Sequence, residues 1–95
     1  MTAEQKLAIL KADLQMTTNA NDEYLEALLR YAGEKIKEEG IKLIDGNIEC
    51  DMVVIQYAAY LFRKRAASET SMPRYLRWQL NNLLFSQKAK VNDDV

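Results

Sequence analysis

The sequence predicts an all-α fold: a small four-helix bundle built around one apolar helix, with a loop between the second and third helices and a flexible C-terminal tail. Three observations lead there. Leucines recur at helical intervals in three segments, the stretch DMVVIQYAAYLFRKR (51–65) is apolar around almost its whole circumference, and the intervening segments carry residues that start and stop helices. A helix without a polar face belongs in the middle of a bundle.

The first helix opens on Thr2-Ala3-Glu4-Gln5. A threonine followed three residues later by glutamine has the spacing of a capping box, and Leu7, Leu10 and Leu14 then repeat on one face. The polar run from Thr17 to Asn21 breaks this helix. Asn21 or a neighbour caps the second, which carries Asp22 and Glu23 where carboxylates complement the helix dipole; Leu25, Leu28, Leu29, Ala32 and Ile36 form its apolar stripe. Gly33 lies inside that stripe region at a cost of about 1 kcal/mol relative to alanine, which predicts a close approach by another helix. Gly40 is a suitable stop.

Residues 41–50, IKLIDGNIEC, place Asp45-Gly46 between short apolar runs; a small hairpin and an ordered loop both fit, and the loop is favoured. The third helix is expected to begin near Asp51 and to end in Arg63, Lys64 and Arg65, cations that complement a helix C-terminus. Between them, apolar residues from Met52 to Phe62 point in every direction, so a small domain is expected to cover part of that surface and leave some for another subunit. Residues 67–72 read as a linker, and Pro73 suits the first turn of a fourth helix. Leu76, Leu80, Leu83 and Leu84 form that helix's stripe, with Tyr75, Trp78 and Phe85 beside it; aromatics at this spacing point to core or subunit interface. Beyond Ser86 the chain is polar and charged, which divides it into a helical domain (1–86) and a flexible tail (87–95).

Composition narrows the function classes. A chain of 95 residues with 48% hydrophobic and 28% charged residues makes one modest core and leaves no room for a separate catalytic domain. No apolar run approaches the roughly 20 residues of a bilayer span, and MTAEQK lacks the basic start and apolar centre of a signal peptide, so residence in a reducing cytoplasm is expected. Cys50 is the single cysteine, read as a packing residue, and histidine is absent, which removes Ser-His-Asp and Cys-His catalysis and the usual zinc ligand sets. The three glycines form neither a dinucleotide fingerprint nor a phosphate loop. Asp45, Glu49 and Asp51 lack the pattern of a calcium loop and read as helix-end and loop carboxylates. No catalytic, cofactor or metal site is expected.

Charge is divided along the chain. Residues 1–40 carry five Lys/Arg against eight Asp/Glu (net −3), residues 41–90 eight against four (net +4), and the last five add −2. Solvated surface is the plain account; an acidic side meeting the basic side of a neighbour is the other, and such a heterologous contact closes into a ring. Arg63, Lys64, Arg65, Arg74 and Arg77 bracket one linker with Tyr75 and Trp78 interleaved, which suits an acidic partner surface, a helix corner or nucleic acid.

In order and spacing, ILKADLQ (9–15), NDEYLEALLRYAGEKIKEEGI (21–41), DMVVIQYAAYLFRKR (51–65) and MPRYLRWQLNNLLFSQK (72–88) resemble the small head-tail connector, or adaptor, proteins of long-tailed bacteriophages and prophages. None of these pieces is a catalytic motif, and in that family the loop between the second and third helices is variable. The resemblance implies an all-helical structural virion protein without enzyme activity or cofactor. It implies a homo-oligomeric ring, a dodecamer in the virion, that binds the portal protein on one side and a tail-completion protein on the other. DNA would pass through without sequence-specific binding, and assembly would take place at the head-tail junction of particles made in the bacterial cytoplasm. The side chains expected to serve subunit or partner contacts are Arg63, Lys64, Arg65, Arg74, Arg77, Trp78, Lys88 and Lys90. The alternative is a small helical DNA-binding protein, a packaging factor or regulator, reading DNA with Arg74, Arg77, Gln79, Asn81 and Asn82, although its linker before Pro73 exceeds that of a helix-turn-helix. A helical module dimeric through Tyr57, Tyr60 and Trp78 is the third reading.

Overall fold

A computed structural model of the chain describes residues 1–66 and 71–93, with side chains described as far as residue 89. Among the described residues there are four α-helices and no strand: α1 (Ala3–Asp13), α2 (Asp22–Glu38), α3 (Ile48–Lys64) and α4 (Arg74–Asp93). The small four-helix bundle is therefore the fold, and the hairpin between α2 and α3 does not form. Most of the expected linker, residues 67–70, lies outside the described residues, as do residues 94–95.

Local signals start and stop the helices. Thr2 accepts from the Gln5 backbone N–H at 3.1 Å while the Gln5 side chain accepts from the Thr2 N–H at 2.9 Å, which completes the capping box. The polar run is not what ends α1. Gln15 adopts φ +58°, with its N–H bonded to the Ala12 carbonyl and the Met16 N–H to the Lys11 carbonyl, a Schellman closure built on a residue other than glycine. Asn21 occupies the cap position of α2 without a side-chain capping bond. Gly40 takes φ +92° immediately after α2 and turns the chain so that Ile41 is buried. Helix α3 starts three residues earlier than expected because Asn47 caps it, accepting from the Cys50 N–H at 3.1 Å.

Helix α3 is the centre of the molecule, packed against α1, α2 and α4, while α1 also packs on α2. Tyr24 at the start of α2 meets Phe62 near the end of α3, with ring centroids 6.1 Å apart, so these two helices run antiparallel. Leu10, Leu25, Leu29, Ala32, Ile36, Val53, Ile55, Ala58, Leu76 and Leu80 form the core. The neighbouring helices cover α3 far more completely than its sequence led us to expect: Val53, Val54, Ile55, Tyr57, Ala58 and Ala59 are buried, and Met52, Tyr60, Leu61 and Phe62 half-buried. Large exposed apolar side chains lie on α4 (Tyr75, Trp78, Phe85), on α2 (Tyr24, Tyr31), in the α2–α3 loop (Ile44) and at the start of α3 (Ile48).

Two further expectations are corrected. A Cβ at Gly33 would meet the Leu43 side chain at 3.5 Å, an ordinary van der Waals contact, so the residue facing Gly33 comes from the α2–α3 loop rather than from a helix. Helix α4 passes the expected boundary at Ser86 and continues to Asp93, and Gln87, the first residue beyond that boundary, is bonded to the backbone of Lys42. Asp51 is the one charged residue buried among the described residues; its carboxylate lies 3.0 Å from the Met1 ammonium and 3.8 Å from Lys6 Nζ, which explains how α3 tolerates it. Cys50 is buried with its thiol facing the Lys42 carbonyl at 3.7 Å.

Candidate interface on the fourth helix

Helix α4 is laid across the α2–α3 loop, and one side of it carries the contacts in sequence. Arg77 grips Glu39 with two bonds, of 2.7 and 3.3 Å; Leu84 faces Gly40; and Gln87 bonds Lys42. The Glu39 carboxylate raises the Arg77 pKa through that bond, which favours the charged guanidinium. Leu76 and Leu80, on the same side, are fully buried against the bundle.

The opposite side carries a second apolar stripe. Tyr75, Trp78, Asn82, Phe85 and Ala89 follow one another at intervals of three, four, three and four residues, the spacing that keeps residues on one face of a helix. All five are exposed: Tyr75 by 52%, Trp78 by 66% and Phe85 by 65%. The inward row of α4 is already packed, so this outward row of aromatics is apolar surface that the chain itself leaves uncovered. Beside it, α4 and the first turns of α3 enclose a groove of about 460 Å³ whose walls include Ile48, Met52, Trp78 and Leu83 together with the polar Glu49 and Asn82. Ile48, 67% exposed, was not singled out by the sequence, because Asn47 before it reads as part of the Asp45-Gly46 turn until the helix it caps is known.

The basic residues do not converge. Arg63 donates to the Asp13 carboxylate at 3.1 Å and to its carbonyl at 3.3 Å, at the end of α1. Arg65 stacks on Phe62 at 4.2 Å and on Tyr24 at 5.3 Å, and Lys64 lies 5.8 Å from the Tyr60 ring. These sit at the start of α2, whereas Arg77 sits on Glu39 at its end, roughly 22 Å away at about 1.5 Å per helical residue. Arg74, Trp78 and Lys88 are exposed on α4; Lys90 belongs to the same helix, and its side chain lies outside the described residues. Of the side chains named for DNA contacts, Arg77 is engaged by Glu39 and the Gln79 Oε1 is buried, which leaves Arg74, Asn81 and Asn82 exposed. Tyr57 is buried in the core, so it shares no exposed face with Trp78. No helix of the described residues is long and apolar enough to cross a membrane.

Comparison with protein-family models, with curated proteins and with solved structures returned no match.

Proposed function

We propose that this chain is a head-tail connector subunit: a structural virion component that assembles laterally into a ring, twelve-fold to match a portal, stacks beneath the portal protein and presents its other face to a tail-completion protein. The resemblance of four consecutive sequence blocks supports the reading, and so does the all-helical fold. The observation that carries it is the exposed stripe of Tyr75, Trp78 and Phe85 on α4, apolar surface that the single chain leaves uncovered and a neighbouring subunit would bury. In this reading the protein works by shape and attachment, DNA passes through the ring without base-specific contacts, and no cofactor takes part.

The test is attachment. Purified protein is mixed with portal-bearing heads that lack tails, and electron microscopy measures whether a ring of density appears below the portal; native mass spectrometry then counts the copies. An added ring is the expected result. Heads that gain nothing at saturating protein concentration would overturn the assignment.

A further inference from the structure

We propose that the outward stripe of α4 is the surface on which a second copy of this chain seats the outer face of its α2. This rests on the reading of the chain as a ring-forming subunit and names the two faces that meet. The contact is heterologous: the α4 of one copy receives the α2 of the next, leaving each outer copy with one unused face, and repetition of the step propagates around a ring.

Charge selects this pairing over its alternatives. From residue 74 to residue 92 the chain has no carboxylate, and with Arg77 turned to Glu39 on the other side, Arg74 and Lys88 are the exposed cations beside the outward stripe, so packing α4 against another α4 would bring like charges together. Helix α2 carries the complement. On its outer side Glu23, Ala27, Tyr31, Glu34 and Glu38 are exposed at intervals of four, four, three and four residues, with Tyr31 51% exposed in the middle. Over its length α2 has five carboxylates against three cations, a net −2. Glu34 and Glu38 are paired within the helix, Lys37 to Glu34 at 3.5 Å and Lys35 to Glu38 at 3.4 Å, with Lys35 also 5.4 Å from the centre of the Tyr31 ring; these exposed contacts are weak enough to be exchanged for those of a partner.

Size agrees with charge. The two helices have 17 and 20 residues, roughly 25 and 30 Å long, so the faces match in length. Both present an aromatic with small or polar neighbours, Tyr31 beside Ala27 and Trp78 beside Asn82, and bulky rings facing small positions allow two helices to interdigitate. One helix pair falls at the low end of specific interfaces, so association of the free protein is expected to be concentration-dependent and to tighten when a ring closes.

Sedimentation of three proteins tests the assignment. The first is wild type. The second carries Trp78→Ala and Phe85→Ala on the α4 face, and the third Glu23→Lys, Tyr31→Lys and Glu34→Lys on the α2 face; all five positions are exposed, and circular dichroism verifies each fold. Wild type should gain mass as concentration rises, and each variant alone should associate at least about tenfold more weakly, as loss of central interface residues predicts. Mixed in equal amounts, the two variants should recover one intact contact and form a dimer that grows no further. A wild type that never self-associates, a Trp78/Phe85 variant that associates like wild type, or a mixture that stays monomeric would each overturn the pairing of α4 with α2. Attachment to portal-bearing heads is measured separately, so the connector reading can survive the loss of this one.

Discussion

Gln87 closes a two-way bond with the backbone of Lys42: its Nε2 donates to the Lys42 carbonyl at 2.8 Å and its Oε1 accepts from the Lys42 N–H at 2.8 Å. One side-chain amide thus satisfies both polar groups of a residue in the α2–α3 loop, which has no helix or sheet to satisfy them. It also fixes how far along α4 the loop sits.

Removing Gln87 should therefore loosen the loop and α4 together. Gln87→Ala is expected to cost about 1 kcal/mol, since each bond is exposed and water replaces part of it. Truncation after Ser86 should lower the unfolding midpoint, whereas truncation after Ala89, which keeps the bond, should not. Equal midpoints for the two truncations, measured by chemical denaturation, would show that the bond contributes nothing.

Backbone conformation predicts opposite signs at three positions. Gly33→Ala should stabilise by about 0.5–1 kcal/mol, because the added Cβ meets only Leu43 at ordinary contact distance and alanine favours the helix. Gly40→Ala should destabilise by about 1–2 kcal/mol, because φ +92° is left-handed and strained for an L side chain. Gln15→Gly should stabilise, by relieving φ +58° at the Schellman turn. Thermal midpoints of the three variants check the set, and a stabilised Gly40→Ala would contradict it.

Burial ranks the leucines. Leu25, fully buried between α2 and the core, should cost about 2–5 kcal/mol when cut to alanine, through lost transfer energy and the cavity left behind. Leu61 is only half-buried, so Leu61→Ala should cost less. Denaturant midpoints that place Leu61 above Leu25 would argue that the end of α3 is buried more deeply in solution.

High pH should weaken the fold through Tyr57. Burial, and beyond it the Glu39 carboxylate, pushes the Tyr57 phenol above its ordinary value of 10.0. Between that value and the raised one, the unfolded chain gives up the Tyr57 proton while the native chain keeps it, so the unfolded state binds fewer protons and stability falls as pH rises. Below this window the contribution is fully present. Tyr57→Phe should flatten the decline in denaturation midpoint above about pH 10; parallel declines for the two proteins would assign the loss to other groups.

Much of this was legible in the residues. The capping box at Thr2 and Gln5, the Leu25 to Ile36 stripe and the Gly40 stop depend on neighbours within a few positions, and each appears where the sequence placed it. The start of α3 was misplaced because Asn47 follows Asp45-Gly46, a pair that reads as a turn, and a cap is recognisable only once the helix after it is known. The basic side chains lie close in sequence on both sides of the linker, which left a shared patch and separate helix-corner roles both open. Arg63 meets Asp13 at the end of α1 and Arg65 meets Tyr24 at the start of α2, whereas Arg77 meets Glu39 just past the other end of α2, and no local rule carries that information.

The sequence by itself determined that the chain is helical, where most helices begin and end, and that α3 is the helix to bury, because propensity, capping and apolar periodicity act over one or two turns. Only the tertiary structure decided which apolar residues remain uncovered. The expected excess lay on α3, yet α1, α2 and α4 cover most of it, while α4 turns Leu76 and Leu80 inward and leaves Tyr75, Trp78 and Phe85 outside. A helix with apolar residues on two faces can pack either one against the bundle, and the choice is made by distant partners, Glu39, Gly40 and Lys42, whose contacts fix the rotation of α4.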